Sequence, residues 1–425
     1  MKINSLKMIM AVLTGAMLLV SCQNETVNPI TENPPDKTGN PTPQPEEPPK
    51  QPRPPIKESK MVSSANNFAF RLFAALRAGQ QDQNIFISPL SISTVLTMVF
   101  NGADGSTKEA MRKTLDFGQQ TDEEINQMFK DLQATLDAQD KKVTFTSANA
   151  LWHDQIWQLQ PGFVQLNKNY FGATVQELDF KDPSAKTVMN DWAKEKTQGK
   201  IDKVVSDIPE DAIMFLVNAI YFKAAWTYPF ETYGTRKGGF RKEDGSTISV
   251  DFMIRYNGKY LYFHDANKTV VDLPYGNMQF SMTLVMPNDP STVNNLGREL
   301  SNTQLNDWLN KSDTTRMALR MPKFKIEYSK KLNDALTQLG MGEAFLDGAN
   351  FSRMLAGGQG SRISEVAQKT FVVVNEEGTE AAAVTTAMTV PSSAPPTILI
   401  DRPFIYLIRE KSTNAIIFIG QLMSP

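Results

Sequence analysis

The chain has 425 residues, a formal net charge of -2, 41% hydrophobic residues and 24 phenylalanines. That is enough apolar material for a sizeable core, and the even charge balance gives no reason to expect nucleic acid as a partner. One cysteine, Cys22, and two histidines, His153 and His264, exclude a disulfide within the chain and a thiol nucleophile in its body, and nearly exclude zinc sites built from Cys and His.

The chain opens on Lys2 and Lys7, followed by an apolar run from Met8 to Val20 that is too short for a comfortable membrane span. Leu19-Val20-Ser21-Cys22 resembles a bacterial lipobox, in which the cysteine is acylated and becomes the mature N-terminus. The alternative is an ordinary secretory signal with an incidental cysteine. The lipobox is preferred because the single cysteine falls where acylation needs it. Acylation anchors a protein to a membrane without spanning it. No aspartate directly follows Cys22, so the expected location is the outer membrane or cell surface.

From Gln23 to about Lys60 the chain reads as a linker. Eleven prolines lie between Pro29 and Pro55, with almost no apolar residue among them. Such a segment cannot bury enough surface to fold, and proline biases it towards extended polyproline II. At ~3.1 Å per residue it could hold a folded body on the order of 100 Å from a membrane.

The folded body is expected to run from Met61 to Pro425. Ser64 could cap a first helix whose core face is Phe68, Leu72, Phe73 and Leu76, with Gly79 near its end. Asn84 to Ser91 is a short apolar strand that breaks at Pro89 and opens a second helix reaching Asn101-Gly102. Helical patterning returns over 107–115, 121–138 and 187–196, and strand-like patterning over 143–152, 212–222, 270–287 and 317–327. A helix over 330–339 closes at Gly340, and two strands, 404–409 and 415–422, end the chain. Helices cluster first and strands later, which predicts an α+β domain.

One run fits neither period. Phe371 to Val374 reads as a buried strand. After it come Asn375, Glu376, Glu377, Gly378, Thr379 and Glu380, and then Ala381, Ala382, Ala383 and Val384. Glycine supplies a pivot, and the stretch beyond it holds no large side chain, so it can enter a tight slot. This is the composition of a segment that must live both outside, as a loop, and inside, as a strand.

It resembles the hinge of a serpin reactive loop, and further blocks resembling serpin signatures occur in family order from residue 61 to the end. They are Asn84-Ile-Phe-Ile-Ser-Pro-Leu-Ser91, Asn149-Ala-Leu-Trp152, Asp191-Trp192 with Thr197-Gln-Gly-Lys-Ile201, and Leu216 to Lys223 with Trp226. Met321-Pro-Lys-Phe324, Leu339-Gly-Met-Gly342 and Asp401-Arg-Pro-Phe404 through Gly420 complete the set. The resemblance makes residues 61–425 one domain. It implies mixed β-sheets, a helical N-terminal half and an exposed reactive-centre loop. It also implies inhibition of a serine protease by cleavage of that loop and insertion of its hinge side into the main sheet.

Inserted residues alternate between the two faces of a sheet, and Thr379, Ala381 and Ala383 form one small-residue set. A crossing helix is expected to cover that set, while Glu380 stays solvated. The resemblance places a polar latch beneath the sheet at Ser88, Ser91, Asn218 and Gln368, with Gln368 where many relatives carry a histidine, and a buried tryptophan near the hinge at Trp226. Counting the family's seventeen residues from Glu376 places the reactive bond at Ser392-Ser393, with Met388, Thr389, Val390 and Pro391 as loop subsites. A small residue before the cut suits an elastase-like or subtilisin-like protease, whereas a trypsin-like pocket would want Arg or Lys. A chymotrypsin-like enzyme could use Met388, and a cut after Val390 would put Pro391 on the leaving side.

Two other readings compete. A non-inhibitory serpin, acting as a protease substrate or binding module, would usually carry bulky, charged or proline residues in the hinge. A hydrolase would need a motif such as Gly-x-Ser-x-Gly or His-Glu-x-x-His, and neither occurs. His153 and His264 read as packing or surface residues. The chain is therefore expected to be a monomeric inhibitor that is not an enzyme, with a serine protease and a membrane as partners and with no nucleic acid, metal or organic cofactor.

Overall fold

A computed structural model describes residues 58–425 apart from 139, 141, 211, 357–360 and 380–395. The first half is mainly helical: α1 (Lys60–Arg77), β1 (Ile85–Ile87), α2 (Pro89–Phe100), α3 (Gly105–Thr114), α4 (Asp122–Ala138), β2 (Val143–Asp154), α5 (Pro161–Phe171), β3 (Thr174–Leu178) and α6 (Ser184–Lys196). Next come β4 (Met214–Ala225), β5 (Glu231–Arg241), β6 (Thr247–His264), β7 (Lys268–Tyr275), β8 (Phe280–Pro287), α7 (Val293–Glu299), α8 (Asn302–Lys311), β9 (Asp313–Pro322), β10 (Phe324–Lys331) and α9 (Asn333–Leu336). The last strands are β11 (Ala367–Val374), β12 (Gly378–Thr379), β13 (Thr397–Leu399), β14 (Phe404–Glu410) and β15 (Ile416–Leu422). The α+β class and the mixed sheets agree with expectation.

Local chemistry sets the helix starts. Ser59 caps α1 through its hydroxyl to the Val62 amide, five residues before Ser64, which is buried inside the helix. The Glu58 carboxylate accepts from Asn302 and Asn306, so folded contacts already exist three residues ahead of Met61. Ser88 caps α2, and Pro89 occupies its first turn, where a missing amide costs nothing.

The strands form two sheets. One runs β1-β15-β14-β8-β7-β6-β9-β13, with β5 also on β6. The apolar stretch 270–287 is two of these strands, because Gly276 turns the chain back with a positive φ between Tyr275 and Phe280. The stretch 317–327 likewise belongs to two strands, parted at Lys323, and strand continues to Lys331, where a helix was expected.

The other sheet runs β10-β11-β12-β4-β2-β3. Its odd-numbered β4 residues Phe215 and Val217 pack under α6 with Trp152, Met189 and Trp192. The even-numbered Leu216, Ile220, Phe222 and Ala224 face the main core, as β alternation requires. That core is continuous with the fully buried strands β14 and β15.

Candidate functional site

The slot between β4 and β11 is the site. Neither strand pairs with the other among the described residues. Both instead pair with β12 at the end where β11 finishes: Val374 lies opposite Thr379, and Thr379 and Gly378 lie opposite Ala224 and Ala225. The first two small residues of the hinge are thus already seated in the sheet. Thr379 is 2% exposed, and its hydroxyl shares a 2.7 Å hydrogen bond with the Tyr275 hydroxyl. Burial raises the Tyr275 pKa far above its ordinary value, so the phenol remains protonated. Only glycine fits at 378, since a Cβ there would collide with the Ala224 carbonyl oxygen.

Thr379 shares its face with Ala224 and points at Tyr275, towards the main core. The expectation that a crossing helix covers its set is corrected: α6 lies over the opposite face, against Phe215 and Val217. The small-residue requirement survives the correction, because the face Thr379 shares is buried against the main core.

Acids and an aromatic hold the turn that precedes β12. The Trp226 indole donates to the Asn375 carbonyl at 2.9 Å, and its ring stacks on Tyr275 with centroids 4.4 Å apart. The Trp226 and Phe230 amides donate to the carbonyls of Glu377 and Glu376. The Glu376 carboxylate accepts from the Thr235 hydroxyl at 2.6 Å and pairs with the Lys323 ammonium at 3.0 Å. Burial opposes its charge, but Thr235 and Lys323 outweigh burial and hold its pKa below the ordinary value. The Asn375 side chain accepts from the Glu377 and Gly378 amides, closing the turn.

The latch residues meet under the same slot. On the β11 side, the Ser88 amide donates to Gln368 Oε1 at 2.9 Å, and Gln368 Nε2 donates to the Ser88 carbonyl at 3.0 Å. The Ser88 hydroxyl donates to the Ile417 carbonyl at 2.7 Å. On the β4 side, the Ser91 hydroxyl bonds Asn218 Oδ1, while Asn218 Nδ2 donates to Asn149 Oδ1 at 2.7 Å and to Ser147 Oγ at 3.1 Å. Among the described residues no hydrogen bond joins Gln368 to Asn218, so the four expected residues form two pairs linked through the first turn of α2.

Sequence reasoning missed Tyr275, Thr235 and Lys323 at the hinge, and Asn149 and Ser147 at the latch. Asn149 and Lys323 lie inside serpin-like signature blocks, and only the register between distant strands gives them a role. His153 and His264 are taken up locally, against the Asp154 carbonyl and against Tyr262 and Thr269. Glu380, Ala381, Ala382, Ala383, Met388, Thr389, Val390, Pro391, Ser392 and Ser393 lie outside the described residues, as do Cys22 and the linker up to residue 57. Among the described residues no helix is long and apolar enough to cross a membrane, and no group of His, Cys, Asp and Glu could hold a metal ion.

The chain resembles known proteins over the whole of this architecture. A family model described as serpin (serine protease inhibitor) matches residues 63–425. The human leukocyte elastase inhibitor is 34% identical over 385 residues, spanning 86% of this chain and all of the relative. Iripin-2 of Ixodes ricinus is 32% identical over 375 residues, spanning 86% of this chain and 94% of the relative. Among solved structures, the thermophilic serpin tengpin in its native state superposes with a TM-score of 0.79 at 32% identity, over 87% of this chain and 96% of its own. Human thyroxine-binding globulin superposes with a TM-score of 0.78 at 30% identity, over 86% of this chain and 98% of its own. On the match over residues 63–425 and the likeness to these relatives, the chain belongs to the serpin family, a family of protease inhibitors rather than catalytic enzymes.

Proposed function

We propose that the protein inhibits serine proteases of elastase-like or subtilisin-like specificity by covalent trapping. The observation that carries this reading is the seating of Gly378 and Thr379 between β4 and β11. The protease's serine oxygen attacks the Ser392 carbonyl carbon. The bond to the Ser393 nitrogen breaks as that nitrogen takes up the serine proton, leaving an acyl-enzyme that water would normally hydrolyse. Insertion competes with that water. From Thr379 to Ser392, adding the segment as a strand moves its far end by about 46 Å at ~3.3 Å per residue. This drags the attached protease along and distorts its active site. The uncleaved form is metastable, so its working stability is kinetic.

Mixing the protein with neutrophil elastase, pancreatic elastase, subtilisin and trypsin tests this on a denaturing gel, with mass spectrometry of the released fragment. The expected result is a denaturant-resistant complex with an elastase or subtilisin and a fragment beginning at Ser393. Loop cleavage without complex by every protease, and with no gain in thermal stability, would favour a non-inhibitory member.

The inhibitor works as a monomer, tethered to the outer membrane or cell surface by acylation of Cys22 and carried on the proline-rich segment. The lipobox-like Leu19-Val20-Ser21-Cys22 and the composition up to Pro55 support this. Cells grown with labelled palmitate should label the wild-type protein and leave Cys22→Ala unlabelled and unprocessed; a wild-type protein that takes up no label would sink the anchor.

A further inference from the structure

We propose that the nine-stranded sheet carries a separate site, a pocket at its curled edge that binds a small planar aromatic carboxylate. In the strand order β8, β7, β6, β9, β13 the first and last members are four steps apart. A flat sheet would hold them ~19 Å apart, at ~4.8 Å per step. Here β13 and the end of β8 line one cavity of about 300 Å³, together with β6 and β7. The sheet has therefore curled into an open barrel, and residues 400–403 lead from β13 to β14 at its mouth. Arg402 closes the mouth by donating from Nη1 to the Asn288 carbonyl, just past β8. Mouths of β-barrels are among the places where small molecules bind, and this volume suits a compact ligand.

The lining has an apolar and a polar part. Met286 and Ile398, both buried, and the exposed Leu399 supply apolar surface. Tyr262 and His264 supply a flat wall, their rings 7° from parallel with centroids 6.3 Å apart. A planar ring can lie against that wall in an offset stack. The polar part is cationic. Asp401 accepts from Arg402 Nε at 2.8 Å and lies 3.5 Å from the Arg241 guanidinium, so one carboxylate serves two arginines. The next carboxylates are engaged elsewhere: Asp289 accepts from Ser291, and Asp265 pairs with Lys268 at 2.7 Å. Among the described residues no hydrogen bond uses Arg402 Nη2, the Thr397 hydroxyl or His264 Nε2. Each can donate to an acceptor in the pocket, and a guanidinium already held by two bonds loses little freedom in doing so. A bound acid would tie β13, which otherwise pairs with β9 alone among the described residues, to β6 and β8.

The experiment titrates naphthalene-2-carboxylate, and the neutral naphthalene-2-carboxamide, into the intact protein by calorimetry. Wild type should bind the acid about tenfold more tightly than the amide. Arg402→Gln should weaken the acid about tenfold and leave the amide within about twofold, so that the two probes become alike. Amide hydrogen exchange locates the site: the acid should slow exchange over 262–269 and 397–402. No binding of the acid at millimolar concentration, equal affinity of wild type for both probes, or protection confined to other segments would each overturn the pocket. If Arg402→Gln does not fold, Leu399→Glu decides. It places a carboxylate at the exposed rim and should weaken the acid more than the amide, and equal weakening of both would overturn the pocket. Protease trapping enters none of these readouts, so a failed pocket and a failed inhibitor are told apart.

Discussion

The hinge and the latch sit along one slot and are built from different chemistry. The hinge uses a carboxylate, an ammonium and a stacked aromatic pair at the end of the sheet, where Lys323 is 40% exposed. The latch uses neutral amides and hydroxyls, with Ser88 at 0% and Gln368 at 8% exposure. Solvent reaches the Lys323 end of the hinge pair, whereas a charge at the latch would need full pairing of the kind the buried Arg409 finds in Asp272, since an unpaired ion in the core would cost several kcal/mol. The difference teaches that, on the proposed mechanism, the place where insertion would begin carries a charge that answers to pH, whereas the place through which the strand would pass is lined by neutral groups.

The sharpest break is Thr379→Arg. It puts an unpaired cation on the core face beside Tyr275, which no rearrangement short of ejecting β12 can relieve. The covalent complex should vanish from the gel while loop cleavage persists. Undiminished complex would mean that insertion does not begin at Thr379. Trp226→Ala removes the stack on Tyr275 and the donor to Asn375, and should lower thermal stability by about 3–5 kcal/mol. A loss below about 1 kcal/mol would show that the indole only covers the hinge.

Glu376→Gln probes charge alone. The folded pKa of Glu376 is depressed, so its contribution is complete above the unfolded value of about 4.3 and is lost as pH falls through the folded value. The variant should lose no more than about 1 kcal/mol at neutral pH, because solvent screens the pair, and the deficit should shrink as pH falls through the depressed folded value. A pH-independent deficit in melting curves would assign the effect to packing. Tyr275→Phe should cost about 1 kcal/mol, the net worth of one neutral hydrogen bond, and that cost should not vary between pH 5 and pH 9. A cost that rises with pH in that window would mean that the phenol ionises.

The fold was legible wherever hydrophobic period and caps agreed. The helices over 89–100 and 122–138 and the strands 404–410 and 416–422 fall close to their predicted limits. Failures came where one apolar run hides two strands, as at 270–287, and where half-polar strands such as β5 and β6 show no clean alternation. The hinge was legible because its composition is odd. Its partners were not, because Tyr275, Thr235 and Lys323 are ordinary residues until strand register sets them beside Thr379 and Glu376. The split of the latch into two pairs was invisible for the same reason, since sequence names the groups and only geometry says which of them touch.

Glu58 carries a mechanical consequence. Its carboxylate is gripped by Asn302 and Asn306 of α8, and the Asn414 amide lies 3.5 Å from it. Asn414 in turn bonds Asn306 and the buried Arg409. Tension applied along the preceding chain is therefore delivered to the frame around α8 and β14. On the proposed tether, it would enter the body through elements outside the six-stranded sheet, with no direct grip on the strands that would part to admit the loop.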